Sequence, residues 1–274
     1  MKRIMIAALA LLALGAVFAV GAEAKTKPIT GPAPYTASSG LSKLSSEGLP
    51  EIECKKSKAA GQLTSATHGE VTVTFEECET NGKKCGNISP GTIETKLLET
   101  TVGWISKAKG EVGVDFIGKA GGTTGKGAEA EFECEGLAVS VKGSAIGKSV
   151  PLNVMATTGE VVLNGAGGKQ EVEKLEGQPK DTLITEANIL PGSELPSAQD
   201  QTGKETFSPI IETKGKKKIT REDKIELNTV NNPAQPEQGR CVAAKKAKYS
   251  DSNCTTEAPL KKGKKTGKFE FVAI

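Results

Sequence analysis

The sequence predicts an all-β fold: an antiparallel β-sandwich or distorted barrel with a small disulfide-stapled β-hairpin module at its C-terminus. Two observations carry this. Short stretches alternate apolar and polar residues with a period of two, as at Val71, Val73 and Phe75, at Val112, Val114 and Phe116, and at Leu137, Val139 and Val141. Successive strand side chains point to opposite faces, so this is the pattern of half-buried antiparallel strands. Between these stretches stand glycine-rich turns, drawn from 32 Gly in 274 residues. The nearest approach to a helix is 170–176, a turn or two closely bracketed by Gly167, Gly168 and Gly177.

The elements follow in chain order. Lys2 and Arg3 precede an apolar run from Ile4 to Val20, and Ala22-Glu23-Ala24 supplies small residues around a cleavage point. Basic, apolar, small-residue is the layout of a secretory signal peptide, assigned to residues 1–24. The run falls short of the ~20 apolar residues of a membrane span, so no transmembrane anchor is expected after cleavage. Residues 25–49 are rich in Pro, Gly, Ser and Thr and read as a flexible lead-in. Residues 50–230 form the expected sandwich or barrel domain. Its further candidate strands are 92–98, 129–134, 160–163, 208–213 and 224–227. Residues 118–127 (GKAGGTTGKG) read as a pliable loop. Residues 190–204 also read as a loop, with Pro191, Pro196 and no apolar period. Residues 231–237 are a linker. Residues 238–274, with Cys241, Tyr249, Cys254 and a closing Phe269-Glu270-Phe271-Val272, make one or two hairpins that depend on a staple.

All six cysteines follow the signal: Cys54, Cys78, Cys85, Cys134, Cys241 and Cys254. An even number in an exported chain points to disulfides. Proximity suggests three pairs. Cys78 and Cys85 flank the turn dipeptide Asn81-Gly82 and would close a hairpin. Cys241 would pair with Cys254, leaving Cys54 for Cys134. There is no Cys-x-x-Cys, and His68 stands at no ligand spacing from a cysteine, so no metal is expected.

The order of short motifs resembles a group of exported, signal-peptide-bearing, six-cysteine actinobacterial proteins with no assigned activity. The matching pieces include Glu53-Cys54-Lys55, Val73-Thr74-Phe75 leading to Cys78, Lys84-Cys85, Gly91-Thr92-Ile93-Glu94-Thr95, Gly103-Trp104-Ile105, Glu111-Val112-Gly113-Val114 and Phe132-Glu133-Cys134. They continue through 139–147, Leu175-Glu176-Gly177 and Asp181-Thr182-Leu183, and the tail from Gly239-Arg240-Cys241 to Phe269-Glu270-Phe271 is similar as well. The resemblance implies export and a shared fold; it implies no site.

Composition and motifs exclude several chemistries. A single histidine rules out sites needing two imidazoles. A net charge of +3 lacks the basic excess of a dedicated nucleic-acid binder. His68 lies in a polar turn, Ser65-Ala66-Thr67-His68-Gly69, and there is no Gly-x-Ser-x-Gly elbow. Gly143–Ser149 is one residue short of a phosphate-binding loop and is followed by Pro151 rather than a helix. Carboxylates are plentiful: Glu76, Glu77, Glu94, Asp115, Glu129, Glu131 and Glu133. By alternation Glu129, Glu131 and Glu133 share a solvated face, and Asp115 also faces water. Two lysine clusters remain, Lys214, Lys216, Lys217 and Lys218, and Lys261, Lys262, Lys264, Lys265 and Lys268. They are the candidate contacts to an anionic surface.

The expected function is therefore that of an exported protein, extracellular or associated with the cell envelope. It would be a non-catalytic binding or structural protein without cofactor, its lysine clusters meeting an anionic envelope polymer. Two alternatives stand beside this: a secreted carbohydrate-active hydrolase using carboxylates alone, and an extracellular module that engages an unknown protein.

Overall fold

The computed structural model describes residues 27–28, 33–65, 67–119, 127–150, 158–207, 210–214, 217–221, 225–227, 239–243 and 269–273. Every regular element among them is a strand. In order these are β1 (Lys27–Pro28), β2 (Ala33–Ser46), β3 (Ile52–Leu63), β4 (His68–Thr80), β5 (Lys83–Gly86), β6 (Thr92–Glu94) and β7 (Leu98–Ser106). Then come β8 (Glu111–Gly118), β9 (Ala128–Cys134), β10 (Leu137–Lys142), β11 (Ser144–Val150), β12 (Thr158–Leu163), β13 (Gly165–Ala166) and β14 (Lys169–Gln170). The last are β15 (Ile184–Ala187), β16 (Leu195–Phe207), β17 (Ile210–Lys214), β18 (Lys217–Arg221), β19 (Ile225–Leu227), β20 (Gly239–Ala243) and β21 (Phe269–Ala273).

The all-strand expectation holds, with antiparallel pairing throughout the large sheet; in the small tail sheet β19 pairs with β21 in parallel. Thirteen strands form one sheet in the order β12-β11-β8-β7-β4-β3-β2-β16-β15-β10-β9-β5, with β6 paired to β4. Further pairings of β12 with β16 and of β4 with β5 bring the path back onto itself. The result is not a closed barrel, because the sheet branches. β4 pairs with β7 through His68–Val71, with β6 through Thr74–Glu76 and with β5 through Glu79–Thr80. β16 pairs with β15 at Leu195–Pro196 and with β12 over Gln201–Thr206. The four long strands β4-β3-β2-β16 thus make a continuous wall. It is completed at one end by β7, β8, β11 and β12, and at the other by β5, β9, β10 and β15.

The alternating residues face inward as expected. Val71, Val112, Val139 and Val141 are buried. The main core cluster also holds Ile52, Ile93, Phe132 and Leu183 with the four cysteines of the sheet. Charged residues alternate outward and pair across strands, as in Lys56 with Glu76 and Glu77, and Lys148 with Glu111. Tight turns take the residues their geometry demands. Asn81 and Gly82 both have positive φ (48° and 76°), as do Glu135 and Gly136 between β9 and β10. That is the primed turn whose twist matches a hairpin.

Several expectations need correction. Residues 33–46 are not a flexible lead-in: they form β2, paired with β3 and β16 in the middle of the wall. Its inward positions carry Tyr35, Ser42 and Leu44, and serine at such positions hides the apolar alternation. Likewise 190–204 is not a loop, since β16 begins at Leu195; Pro196 is accommodated near the strand's start, opposite Ile184. The run 92–98 divides into β6 and the start of β7, and 170–176 contains no helix. The small tail sheet, in the order β1-β20-β21-β19, recruits strands from both proposed neighbouring segments.

The last of these corrections concerns the cysteines. The disulfides are Cys54–Cys78 and Cys85–Cys134, not Cys54–Cys134 and Cys78–Cys85. Cys78 and Cys85 do flank the Asn81-Gly82 hairpin, but its ladder ends at Glu79↔Lys84, and the Cys78 N–H donates to the Gly91 carbonyl. Register instead sets Cys54 opposite Cys78 and Cys85 opposite Cys134, with Cα atoms 3.9 and 4.0 Å apart. A bridge needs Cβ atoms that face each other at about 4 Å, and directly opposed residues of neighbouring strands supply that. Cys254 and residues 1–24 lie outside the described residues.

Candidate functional site

The inner face of the long wall is built from small and polar residues. Ser42, Ser57 and Ala198 are almost fully buried there, and Gly203 is buried as well. Side chains of this size cannot meet those of the opposite strands, and a cavity of about 120 Å³ remains between them. A smaller one of about 40 Å³ lies beside it, and Val73, Phe116, Leu163 and Gln201 line both. The low aromatic content, 4%, has this consequence: few side chains are large enough to fill the interior.

The main cavity is chiefly apolar, with Phe75, Phe116 and Phe132 among its walls. On the long wall it has a polar stripe. Ser39 Oγ is 3.3 Å from Ser42 Oγ and 3.0 Å from Ser57 Oγ, and Gln201 Nε2 donates to Ser57 Oγ at 3.3 Å. Gln199 Nε2 donates in turn to Gln201 Oε1 at 3.3 Å. These groups partner one another, which is how buried polar side chains are usually accommodated.

Glu129 does not follow that rule. Alternation along β9 would place it outside with Glu131 and Glu133, which are exposed. The β9–β10 register passes from Val141↔Ala130 to Lys142↔Ala128 and skips Glu129. It is the extra residue of a β-bulge, and a bulge re-aims the side chain it carries. Its carbonyl accepts from the Lys96 N–H at 2.8 Å instead of joining the ladder. The side chain is 8% exposed and lines the main cavity, and Oε1 has no hydrogen-bond partner among the described residues. Burial, helped by Asp115 and Asp181, holds this carboxyl well above its ordinary pKa.

Asp115 also departs from expectation. It is half-buried, its Oδ1 shielded from solvent, rather than facing water, because the segment after β14 runs alongside β7. There Glu176 N–H donates to Trp104 O, and Leu175 packs so near Gly103 that a Cβ would lie 2.9 Å from Leu175 Cδ1. Burial pushes Asp115 up to about 6, against a smaller opposing pull from Ser144, and Asp181 raises it further. Gly143 (φ 100°) lets the chain pass beneath this segment, since a Cβ there would run into the Thr182 carbonyl. In the smaller cavity burial raises Glu205 to about 7, and Tyr35 is raised by its own burial and by Glu205.

The remaining sequence candidates disperse. Glu76 and Glu77 are held below the usual carboxylate range by Lys58 and Lys56 on the outer face. Glu131 pairs with Lys96 at 2.8 Å. His68 is exposed, its Nδ1 2.9 Å from Thr67 Oγ1. Gly143–Ser149 runs into β11 rather than a phosphate loop. Lys214 and Lys217 are register partners in the β17–β18 hairpin, with Lys218 next in β18; Lys216 and all five lysines of the second cluster lie outside the described residues. Among the described residues no group of three or more His, Cys, Asp or Glu is arranged to hold a metal. Sequence reasoning did not find Ser42, Gln199, Gln201, Asp181 or Glu205. The glutamines were hidden by reading 190–204 as a loop.

The fold and site define a class: an all-strand, disulfide-bonded protein with a lined interior cavity. No known family model, curated protein or solved structure matches the chain.

Proposed function

We propose that this chain is an exported, non-catalytic binding protein that holds a small, largely apolar ligand inside its sheet. Glu129 carries the reading. A bulge turns it into a chiefly apolar cavity where its Oε1 has no partner among the described residues, and such a group costs stability until something pairs with it. The two disulfides are compatible with an oxidising compartment, and no described helix is long and apolar enough to cross a membrane. A carboxylate hydrolase would need two carboxyl groups converging on one substrate. Of Asp115, Glu129 and Asp181, Glu129 alone lines the cavity, so binding is favoured.

The test is thermal unfolding of the protein with a panel of neutral and charged molecules below about ten heavy atoms. A ligand raises the midpoint by mass action, and Ala145→Leu, which fills the cavity, should remove the shift. A panel that shifts neither protein, or both equally, sinks the reading. Retention at the envelope through Lys214, Lys216–Lys218 and Lys261–Lys268 is the second part of the proposal. It predicts release from washed envelopes as ionic strength rises, and complete release already at low salt would refute it.

A further inference from the structure

The geometry points to a small organic cation, an ammonium on a short apolar body, as the occupant of the main cavity, with Glu129 as its counter-ion. This inference rests on the reading of the cavity as a binding site and names the ligand class. Three observations converge on it.

The first is the unmet demand at Glu129. Its Oε1 has no partner among the described residues, and the charged groups acting on it are both acidic, Asp115 and Asp181. A neutral donor would satisfy the hydrogen bond but would do nothing to offset the cost of ionising this buried carboxyl beside two acidic neighbours. A cation satisfies both, and ionised pairs make the stronger hydrogen bonds. The second is the lining. Phe75, Phe116 and Phe132 are three of the chain's seven phenylalanines, gathered around the same space. Aromatic faces attract ammonium groups, most strongly where water is excluded. The third is size and donor count. A cavity of about 150 Å³ holds benzene, so about 120 Å³ admits a body of roughly four to six heavy atoms. A hard metal ion would want six or more oxygen ligands, and the cavity's one carboxylate falls far short.

The experiment is calorimetric titration of the full-length mature chain at pH 7 with isobutylamine, which is protonated there, and with isobutanol, which has nearly the same shape without the charge. The expected result is amine affinity at least tenfold above that of the alcohol. Glu129→Gln should abolish the preference, and Ala145→Leu, which leaves the carboxyl in place but fills the space, should weaken both ligands at least tenfold. Circular dichroism verifies the fold of each variant. Alcohol binding as well as or better than the amine overturns the cation assignment while leaving the binding function standing. So does an amine preference that survives Glu129→Gln. Amine binding unchanged by Ala145→Leu places the cation elsewhere and overturns the assignment too. Neither ligand binding, together with a silent panel in the thermal screen, overturns both readings.

Discussion

A closed part and an open part of the interior lie side by side and are built on opposite plans. At the end completed by β5, β9, β10 and β15, Cys54, Cys78, Cys85 and Cys134 pack with Ile52, Phe132 and Val139 in one cluster, each at most 7% exposed. Two bridges tie β3 to β4 and β5 to β9. Beside this cluster, and lined in part by its own Ile52, Cys54 and Phe132, the wall offers serine, alanine, glycine and glutamine, and space is left open around Glu129 of β9. Under the proposed binding function the contrast separates two tasks: the bridged cluster holds the chain closed, and the underfilled space beside it is where a ligand would enter.

The largest expected effect tests the closed part. Cys85–Cys134 encloses a separation of 49 residues, and loop-closure entropy puts its contribution at ~4 kcal/mol. Cys54–Cys78, with a separation of 24, should contribute ~3.5 kcal/mol on the same model. Replacing either pair by serine should lower the chemical-denaturation midpoint steeply, the longer loop more so. The open part should respond with the opposite sign. Glu129→Leu removes a buried carboxyl whose Oε1 has no partner among the described residues and should stabilise by ~1–3 kcal/mol while abolishing ligand binding. A loss of stability in Glu129→Leu would break the comparison, because Glu129 would then be a structural member.

Next comes pH. Asp115 and Glu205 are raised to about 6 and about 7, and Glu129 well above its ordinary value. A carboxyl with a higher pKa folded than unfolded binds its proton more tightly in the folded state. Its contribution is full below the unfolded pKa near 4 and is lost as pH rises through the folded value. Urea melts should therefore show a decline of ~1–3 kcal/mol between pH 5 and 7.5, and Asp115→Asn should flatten part of it. Stability constant or rising over that window would mean the interior carboxyls are ionised at little cost.

How far the sequence could be read follows from the same contrast. Strands that alternate Val or Phe with polar residues were legible: residues 71–75, 112–116, 129–134 and 137–141 all lie within observed strands. β2 and β16 were not, because their inward positions carry Ser, Ala, Gly and Gln, which are indistinguishable from loop composition. Those strands make the hollow wall, so the features that create the cavity are the ones that conceal it. The cysteines announced bridges, but partners are set by register across strands, which spacing along the chain does not encode. Glu129 was placed outside by counting in twos, and a bulge breaks that count through pairing with another strand. Asp115 was misplaced because the cover supplied by residues 171–183 arrives from a distant part of the chain.

The smallest effect is expected on the outer face, and its smallness sharpens the contrast between the two interior parts. Lys58 Nζ lies 3.0 Å from Glu76 Oε1, but its side chain is 68% exposed. Water screens such a pair and competes for both partners, and ordering two long side chains costs entropy. Lys56 also reaches Glu76, at 3.3 Å, so deleting Lys58 leaves the carboxylate with a cation. Lys58→Ala should accordingly give no resolvable change in the denaturation midpoint at moderate salt, and none in amine affinity. An appreciable loss, removed by added salt, would show that the cross-strand charges act as a network and that part of the protein's stability lies outside the bridged cluster. With no such loss, the outer-face charges add little, and stability rests on the interior and its bridges.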